Sequence, residues 1–342
     1  MPSSFSMSAS RRQVLLGAAG LSMALCSRPA AAQALAPVTT ALGWIPNAEY
    51  AGLWVGIEKG YFAEGGIDIK YTPGGPNAPG VLVSLAAGKA DYAGADWMPF
   101  LETVEKGNDF VVLGAAFPTS PAAILSLAKR PVLEPKDLVG ARILTQMPAD
   151  KNTVDYILTK AGLPLDYTLV PTGFSPEPLL AGDGDAYFAF ATNQPITLET
   201  MGMKEGVDFH VTLMDTLGYK TPAGIIVAKK SYVAENRPLV VAYLKALIRG
   251  WRENSKDPKV AAQLIIDKYG ADYGLELKQQ IRQNELGIPL IETAGSRGPF
   301  WFDPAVVQST IAEIAKSAGH AKMPATADIV DLSPLEDAIA SL

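Results

Sequence analysis

Residues 38–71 read VTTALGWIPNAEYAGLWVGIEKGYFAEGGIDIKY. Val38 to Ile45 alternates in character and predicts a strand. Pro46-Asn47 breaks it. Ala48 to Lys59 then carries Tyr50, Leu53, Trp54 and Ile57 at helical spacing. Gly60 and Gly65-Gly66 punctuate the end, and Ile67 to Tyr71 predicts a second strand. The loop 72–80 holds three Pro and three Gly and must be irregular. A helix is expected through Val81-Leu82 and Leu85 to Gly88, then a strand at Ala90 to Ala95. The order β-α-β-α-β implies a parallel sheet covered by helices on both faces. Right-handed crossovers make such a sheet doubly wound.

The same grammar recurs downstream. Phe110 to Phe117, Ala122 to Ala128 and Ala141 to Thr145 predict strands. Lys151 to Ala161 predicts a helix, Thr168 to Pro171 a strand, Pro176 to Ala181 a short helix and Asp185 to Ala191 a strand. A second βαβ unit therefore fills roughly 127–225. Gly224 to Lys229 returns to β, and the remainder is helical: Pro238 to Glu253, Pro258 to Tyr269, Leu275 to Glu285 and Pro304 to Ala318. The expected organisation is an α/β protein of two lobes, 35–124 plus 226–342 as lobe 1 and 125–225 as lobe 2, with two chain crossings between them. No internal repeat and no low-complexity stretch is present.

Length and composition agree. The chain has 342 residues, 48% hydrophobic and 19% charged, which is globular and long enough for about two domains. The aromatic content excludes disorder. A net charge of −6 argues against a nucleic-acid or anionic-membrane surface. One Cys and two His leave little room for a metal site or a disulfide framework. The N-terminus reads as an address: Arg11-Arg12, an apolar run from Val14 to Leu25, then Ala30-Ala31-Ala32 and Ala32-Gln33-Ala34 as cleavage sites. Residues 1–34 are thus expected to be a signal peptide, and Ser10-Arg11-Arg12 with Leu15-Leu16 resembles a twin-arginine signal. Leu25 before Cys26 does not fit a lipoprotein cleavage site. Removing 1–34 removes the only Cys and leaves a more acidic chain, which suits a periplasm.

Motifs for chemistry are scarce. There is no phosphate-cradling Gly-rich loop and no nucleophile elbow. His210 and His320 lie far apart, and Asp183 and Asp185 flank Gly184 as an Asx-turn would. No cofactor and no metal is expected. What stands out is aromatic residues beside amides at strand ends. Trp44 ends the first strand next to Asn47, Asp96-Trp97 ends the third and Phe117 the fourth. Tyr187 and Phe188 precede Asn193-Gln194. Ligands of open α/β sheets bind outside the carboxyl ends of the strands. Large rings beside amides there suit a planar, hydrogen-bonding ligand.

The stretch Leu42-Gly-Trp-Ile-Pro-Asn-Ala-Glu-Tyr-Ala-Gly-Leu53, followed by Glu58-Lys-Gly-Tyr-Phe-Ala-Glu-Gly-Gly-Ile67, resembles one family. It is similar to the solute-binding proteins of ABC importers for thiamine-pyrimidine precursors, within the nitrate, sulfonate and taurine binding group. Leu85-Ala-Ala-Gly-Lys-Ala-Asp-Tyr92, Asp137-Leu-Val-Gly-Ala-Arg-Ile143 and Gly184-Asp-Ala186 extend the resemblance over the rest of the chain after the signal. The resemblance implies the type II periplasmic-binding-protein fold, with hinges near Pro121–Ala128 and Thr221–Lys229, and a monomer whose two lobes dock on an ABC permease. It implies that Trp44 and Asn47 face the cleft. Where the pyrimidine branch carries Asn-x-Glu-Pro, this chain has Asn193-Gln194-Pro195, which opens a lactam-type ring as ligand. The alternatives are a sulfonate, taurine or nitrate receptor, with Arg130 and Arg142 as the few cationic candidates, or an enzyme of the same fold. The related hydroxymethylpyrimidine phosphate synthase uses a His and a Lys. Pro99 and Ala95 stand at those positions here, and its Cys-rich loop is absent.

Overall fold

The computed structural model describes residue 1 and residues 34–292, 296–320 and 322–342. The expected signal peptide falls almost wholly outside the described residues. Ala36–Leu342 forms one compact unit that contains two five-stranded sheets. Its strands are β1 (Ala36–Ala41), β2 (Ile67–Thr72), β3 (Tyr92–Ala95), β4 (Phe110–Phe117), β5 (Ala122–Leu127), β6 (Ala141–Thr145), β7 (Tyr167–Pro171), β8 (Ala186–Phe190), β9 (Phe209–Leu213) and β10 (Ala223–Lys229). The helices that matter below are α1 (Ala51–Glu58), α2 (Trp97–Glu105), α3 (Asp150–Lys160), α4 (Gln194–Thr200), α5 (Arg237–Asn254), α6 (Leu277–Ile291) and α7 (Ala312–Ser317).

The first sheet runs β2-β1-β3-β10-β4 and the second β7-β6-β8-β5-β9. In each, three parallel strands (β2, β1, β3 and β7, β6, β8) are joined by one antiparallel strand, β10 or β5, that follows a chain crossing. The sheets are therefore mixed rather than purely parallel. A strand that enters from the other sheet arrives from the opposite end and runs against its neighbours. The crossings are 118–121 and 214–222. The expected hinges at Pro121–Ala128 and Thr221–Lys229 are corrected accordingly, since β5 and β10 occupy most of those ranges as central strands. β9 has no counterpart in the sequence reading: Phe209–Leu213 is too short and too polar to announce itself beside Asp208 and His210.

β1 stops at Ala41, not Ile45. Gly43 is the reason. A Cβ there would sit 3.0 Å from the carbonyl oxygen of Gly94, so the chain leaving β1 touches the backbone of β3 and turns away. The expected helix 48–59 is a 3-10 turn, Ala48–Tyr50, running into α1. α1 packs on α5 with almost no side chain between. A Cβ on Gly250 would fall 1.9 Å from the carbonyl oxygen of Gly52. Around this contact lies the main core, with Trp54 stacked on Tyr269 (4.4 Å, 17°) and Tyr92 on Tyr243 (3.8 Å, 3°). Among the described residues no helix is long and apolar enough to cross a membrane.

Candidate functional site

The residues leaving the carboxyl end of β1 meet those leaving β7 of the second sheet. Trp44 follows β1 and is half-buried. Its ring lies 5.6 Å from that of Phe174, tilted by 56°. Phe174 follows β7 and is exposed. This aromatic pair links the two sheets' loops. The backbone N–H of Trp44 donates to Oη of Tyr50 (2.9 Å), which fixes the turn that presents the indole.

Asn47 organises the next residues. It is buried; its Oδ1 accepts from the N–H of Glu49 (2.9 Å) and its carbonyl oxygen accepts from Nε1 of Trp54 (3.0 Å). The side-chain oxygen thus caps the 3-10 turn, as a short polar N-cap does. The amide nitrogen makes no hydrogen bond among the described residues. The N–H of Ala48 donates to Oε1 of the buried Gln280 on α6 (2.9 Å), and a reciprocal amide pair, Asn254 with Asn284 (2.7 and 2.8 Å), ties α6 to α5. These bonds seat α6 on the first lobe beside the turn.

Glu49 follows Asn47 and is half-buried. Burial, and after it the charge of Asp96, push its carboxyl up to about 7. Asp96 stands at the end of β3 as the residue before α2. The residue keeps solvent contact, and the atoms crowding its carboxyl group raise it as well by desolvation. β1 and β3 are adjacent and parallel, which sets their carboxyl ends side by side and brings the two acids together. Neither side chain has a hydrogen-bond or ion-pair partner among the described residues. Arg130 and Arg142, the cationic candidates, are engaged elsewhere. Both reach Asp185 (2.6 and 3.6 Å), and Arg142 also donates to the carbonyl oxygen of Gly182 (2.9 Å). That cluster lies at the amino ends of β6 and β8, the far end from Trp44.

The second lobe contributes Asn193 and Gln194 at the start of α4. The backbone N–H of Phe190 donates to Oε1 of Gln194 (2.8 Å), so this amide has its oxygen committed inside its own loop. Gln194 is only 7% exposed. Nε2 of Gln279 on α6 donates to Oδ1 of Asn193 (3.1 Å), across the two lobes.

Four of the expected residues sit in cores instead. Trp97 is buried, edge-on to Phe100 and Phe302, with Nε1 donating to the carbonyl oxygen of Pro222 (3.1 Å). Phe117 is buried in the first lobe's main core. Tyr187 is fully buried, its Oη donating to the carbonyl oxygen of Gly173 (2.9 Å), and Phe188 packs in the second lobe's core. Alternation along the central strand β8 sends Tyr187 and Phe188 to opposite faces, each covered by helices, while Phe117 lies on the edge strand β4 and Trp97 opens helix α2. The structure thus brings Trp44, Asn47 and Asp96 together in the first lobe and Asn193 with Gln194 in the second. Sequence reasoning missed Glu49, Tyr50 and Phe174. Glu49 and Tyr50 lie in the quoted motif and were overlooked as ordinary helix residues; nothing local marks Phe174. Among the described residues no group of three or more His, Cys, Asp or Glu side chains is placed to hold a metal ion.

A family model described as NMT1/THI5 like matches residues 47–261. The chain belongs to the NMT1/THI5 like family. Within reach of that family, the formylaminopyrimidine-binding protein of Halalkalibacterium halodurans is 25% identical over 278 residues, covering 78% of this chain and 81% of that one. The riboflavin-binding protein RibY of Chloroflexus aurantiacus is 25% identical over 291 residues, covering 82% and 77%. In structure, the chain is similar to the periplasmic aliphatic sulphonate binding protein SsuA of Escherichia coli, with TM-score 0.59 and 16% identity over 74% of this chain and 84% of that one. It is equally similar to the desulfurization enzyme DSZB, with TM-score 0.58 and 13% identity over 89% and 99%. The family member's fold is therefore that of periplasmic binding proteins, a fold that also carries at least one enzyme.

Proposed function

We propose that this chain is the substrate-binding protein of an ABC importer, capturing a small planar heterocycle between its two lobes and handing it to a permease. The ligand class is a pyrimidine-type thiamine precursor or a related ring. The observation that carries the reading is the meeting of Trp44 and Phe174 from opposite lobes over the carboxyl ends of β1 and β7. Rings so placed favour a flat, polarisable ligand. The names of the formylaminopyrimidine and riboflavin relatives point the same way. Lobe closure about the crossings would complete the site, with ligand contacts favouring the closed state.

Electrostatics speak against the sulfonate, taurine or nitrate reading. Such a site wants cations or convergent N–H groups. Here Glu49 and Asp96 stand unpaired at the strand ends, while Arg130 and Arg142 pair with Asp185 at the other end. Asp96 as a carboxylate accepts hydrogen bonds from N–H groups on a ring and repels an anion, and Glu49, raised to about 7, adds part of a negative charge at neutral pH. Binding rather than catalysis is proposed because the formylaminopyrimidine and riboflavin relatives are named as binding proteins. We further propose export through residues 1–34 by the twin-arginine route to a periplasm, a monomeric state, lobe boundaries near the two crossings, and permease docking through both lobes. Trp44, Asn47, Glu49, Asp96, Phe174, Asn193 and Gln194 form the proposed site; Trp97, Phe117, Tyr187 and Phe188 support it from the cores.

The test is a thermal-shift panel of pyrimidines, riboflavin, alkanesulfonates, taurine and nitrate. A ligand at 100 times its dissociation constant adds about 2.7 kcal/mol of stability. Stabilisation by heterocycles alone is expected. Stabilisation by sulfonates or nitrate alone would overturn the reading, and turnover of a stabilising ligand would make the protein an enzyme.

A further inference from the structure

The two lobes also touch at two helix pairs: α7 against α3, where Glu313 accepts from Tyr156 Oη and Lys160 Nζ (3.0 and 2.7 Å) and Ile314 enters the second lobe's core, and α6 against α4. α6 is seated on the first lobe by Gln280, which accepts from the N–H of Ala48 (2.9 Å), and by the Asn254–Asn284 amide pair. α4 belongs to the second lobe, directly after β8. Between them Arg282 of α6 meets Glu199 of α4 with both arms. Nε donates to Oε2 and Nη2 to Oε1, each at 3.0 Å. Three residues earlier on α6, Gln279 donates to Asn193. Ile196 and Ile281 line the same seam.

From these contacts we infer that the Arg282–Glu199 pair is a closing latch, an affinity-setting contact that acts on the open–closed equilibrium rather than on the ligand. The inference rests on the proposed two-lobe capture and not on the identity of the ligand.

Three physical points carry it. First, the geometry is bidentate, and planar forked pairing is the form of ion pair that fixes orientation as well as distance. Arg282 also has Glu285 on its own helix at 3.9 Å, a longer and less directed contact. Second, the pair sits on a lever. α6 ends next to the first crossing, where the N–H of Thr119 donates to the carbonyl oxygen of Leu290 (3.5 Å). Arg282 stands eight residues before Leu290, about 12 Å along the helix at a rise of 1.5 Å per residue. A rotation about the crossing moves the latch while leaving the crossing in place. Third, the partners are partly exposed, with side chains 38% and 27% accessible, so water can take over each charge when the lobes part. Partly exposed charges lose little hydration on pairing, so neither the paired nor the parted state is strongly favoured. An exposed bidentate pair can switch.

The consequence for capture is arithmetic. If only the closed-competent fraction binds, the apparent dissociation constant is the intrinsic one divided by that fraction. A pair of this exposure shifts the open-to-closed ratio by up to about fivefold. Its loss weakens capture without removing a ligand contact.

The experiment is done on the ligand-free chain, so that it stands apart from the ligand question. The chain has a single Cys. Cys26→Ser removes it, and Val83→Cys with Val207→Cys then places one spin label on each lobe at sites 67% exposed. Pulsed dipolar spectroscopy reads the distance distribution between them. The parent is expected to show a closed population that shrinks as salt rises from 0.05 to 1 M. Arg282→Glu and Glu199→Arg each shift the ratio about fivefold toward the open distances. The double exchange, Arg282→Glu with Glu199→Arg, restores the parent distribution. Circular dichroism checks that each variant is folded. Single variants with the parent distribution, or a double exchange that fails to restore it, would overturn the latch. A working latch in a protein that binds no heterocycle would instead sink the ligand reading alone.

Discussion

Phe190 and Gln194 are joined by a hydrogen bond whose direction is not ambiguous. The backbone N–H of Phe190 can only donate, so the atom facing it at 2.8 Å is the side-chain oxygen of Gln194. The amide nitrogen therefore points elsewhere, and it has no partner among the described residues. In a residue 7% exposed, that leaves a donor just past the carboxyl end of β8 without a partner among the described residues. The oxygen has one lone pair engaged by Phe190, so the nitrogen is the freer end of this amide.

Gln194→Glu then becomes a reversal of polarity at one atom. One carboxylate oxygen would still take the Phe190 N–H, and the other would present an acceptor where the parent presents a donor. Among heterocycles that bind, the parent should prefer rings with a carbonyl or aza nitrogen at that edge. The variant should prefer rings with an amino group there. Calorimetry with such a matched pair of ligands should show the ranking invert by about tenfold or more, since an unpaired buried polar group costs about 1–3 kcal/mol. An unchanged ranking would remove Gln194 from the ligand site.

Trp44→Ala should weaken binding of a planar ligand about tenfold while the protein stays folded. The indole is half-buried and its ring contact is Phe174 rather than the core. A lost aromatic contact is worth about 0.5–1.5 kcal/mol beyond its area. Trp97→Ala, by contrast, should lower the melting temperature by many degrees, because it empties a buried site and strands the Pro222 carbonyl oxygen. The two variants compared by thermal melts and titration calorimetry separate a site tryptophan from a core one.

Glu49 predicts a pH dependence. Its carboxyl is raised from 4.5 to about 7 by burial and by Asp96. The folded state therefore holds the proton more tightly than the unfolded chain does. Its stabilising effect is full below the unfolded value and is lost as pH climbs through about 7. The ceiling on that loss is about 3 kcal/mol. Glu49→Gln removes the titration, so its melting temperature should gain on the parent's between pH 5 and pH 8. Parallel curves would mean that the carboxyl is not perturbed.

Gly250→Ala should destabilise the first lobe. The added methyl would collide with the carbonyl oxygen of Gly52, a backbone atom that cannot swing aside. Overpacking of this kind costs about 1–3 kcal/mol. Chemical denaturation should show a lower midpoint with little change in slope, and a neutral result would mean that α1 and α5 can slide apart.

The order of strands and helices was legible because alternation, helical spacing and Gly punctuation coincide between Val38 and Ala95. The antiparallel sense of β5 and β10 was not, since a strand's direction depends on which sheet receives it. At the site, Trp44, Asn47 and Asp96 stand out in sequence because they follow strands directly. Trp97, one residue further, was misread. The first helical residue of α2 turns its side chain under the sheet, where Phe100 and Phe302 await it. Phe174 was illegible because its role depends on Trp44, 130 residues away in the chain. The pairing of Gln194 with Phe190 is not written in the sequence, because an amide side chain has a donor end and an acceptor end and only the fold decides which turns inward.

The strand order of the first sheet bears on how the chain emerges and matures. β4 pairs with β10 and with no other named strand, and its further backbone hydrogen bonds and bridge reach Phe300, Val330 and Asp331. All of these lie beyond residue 222. The second sheet, β5 to β9, is complete within Ala122–Leu213. A growing or translocating chain can therefore finish its later-numbered sheet before its earlier one. Until β10 arrives, Phe110–Phe117, FVVLGAAF, is an apolar ribbon with both edges unpaired, the kind of segment that aggregates. Over an interval of about 110 residues of synthesis this strand therefore stays without its partner, and the risk of aggregation is concentrated there.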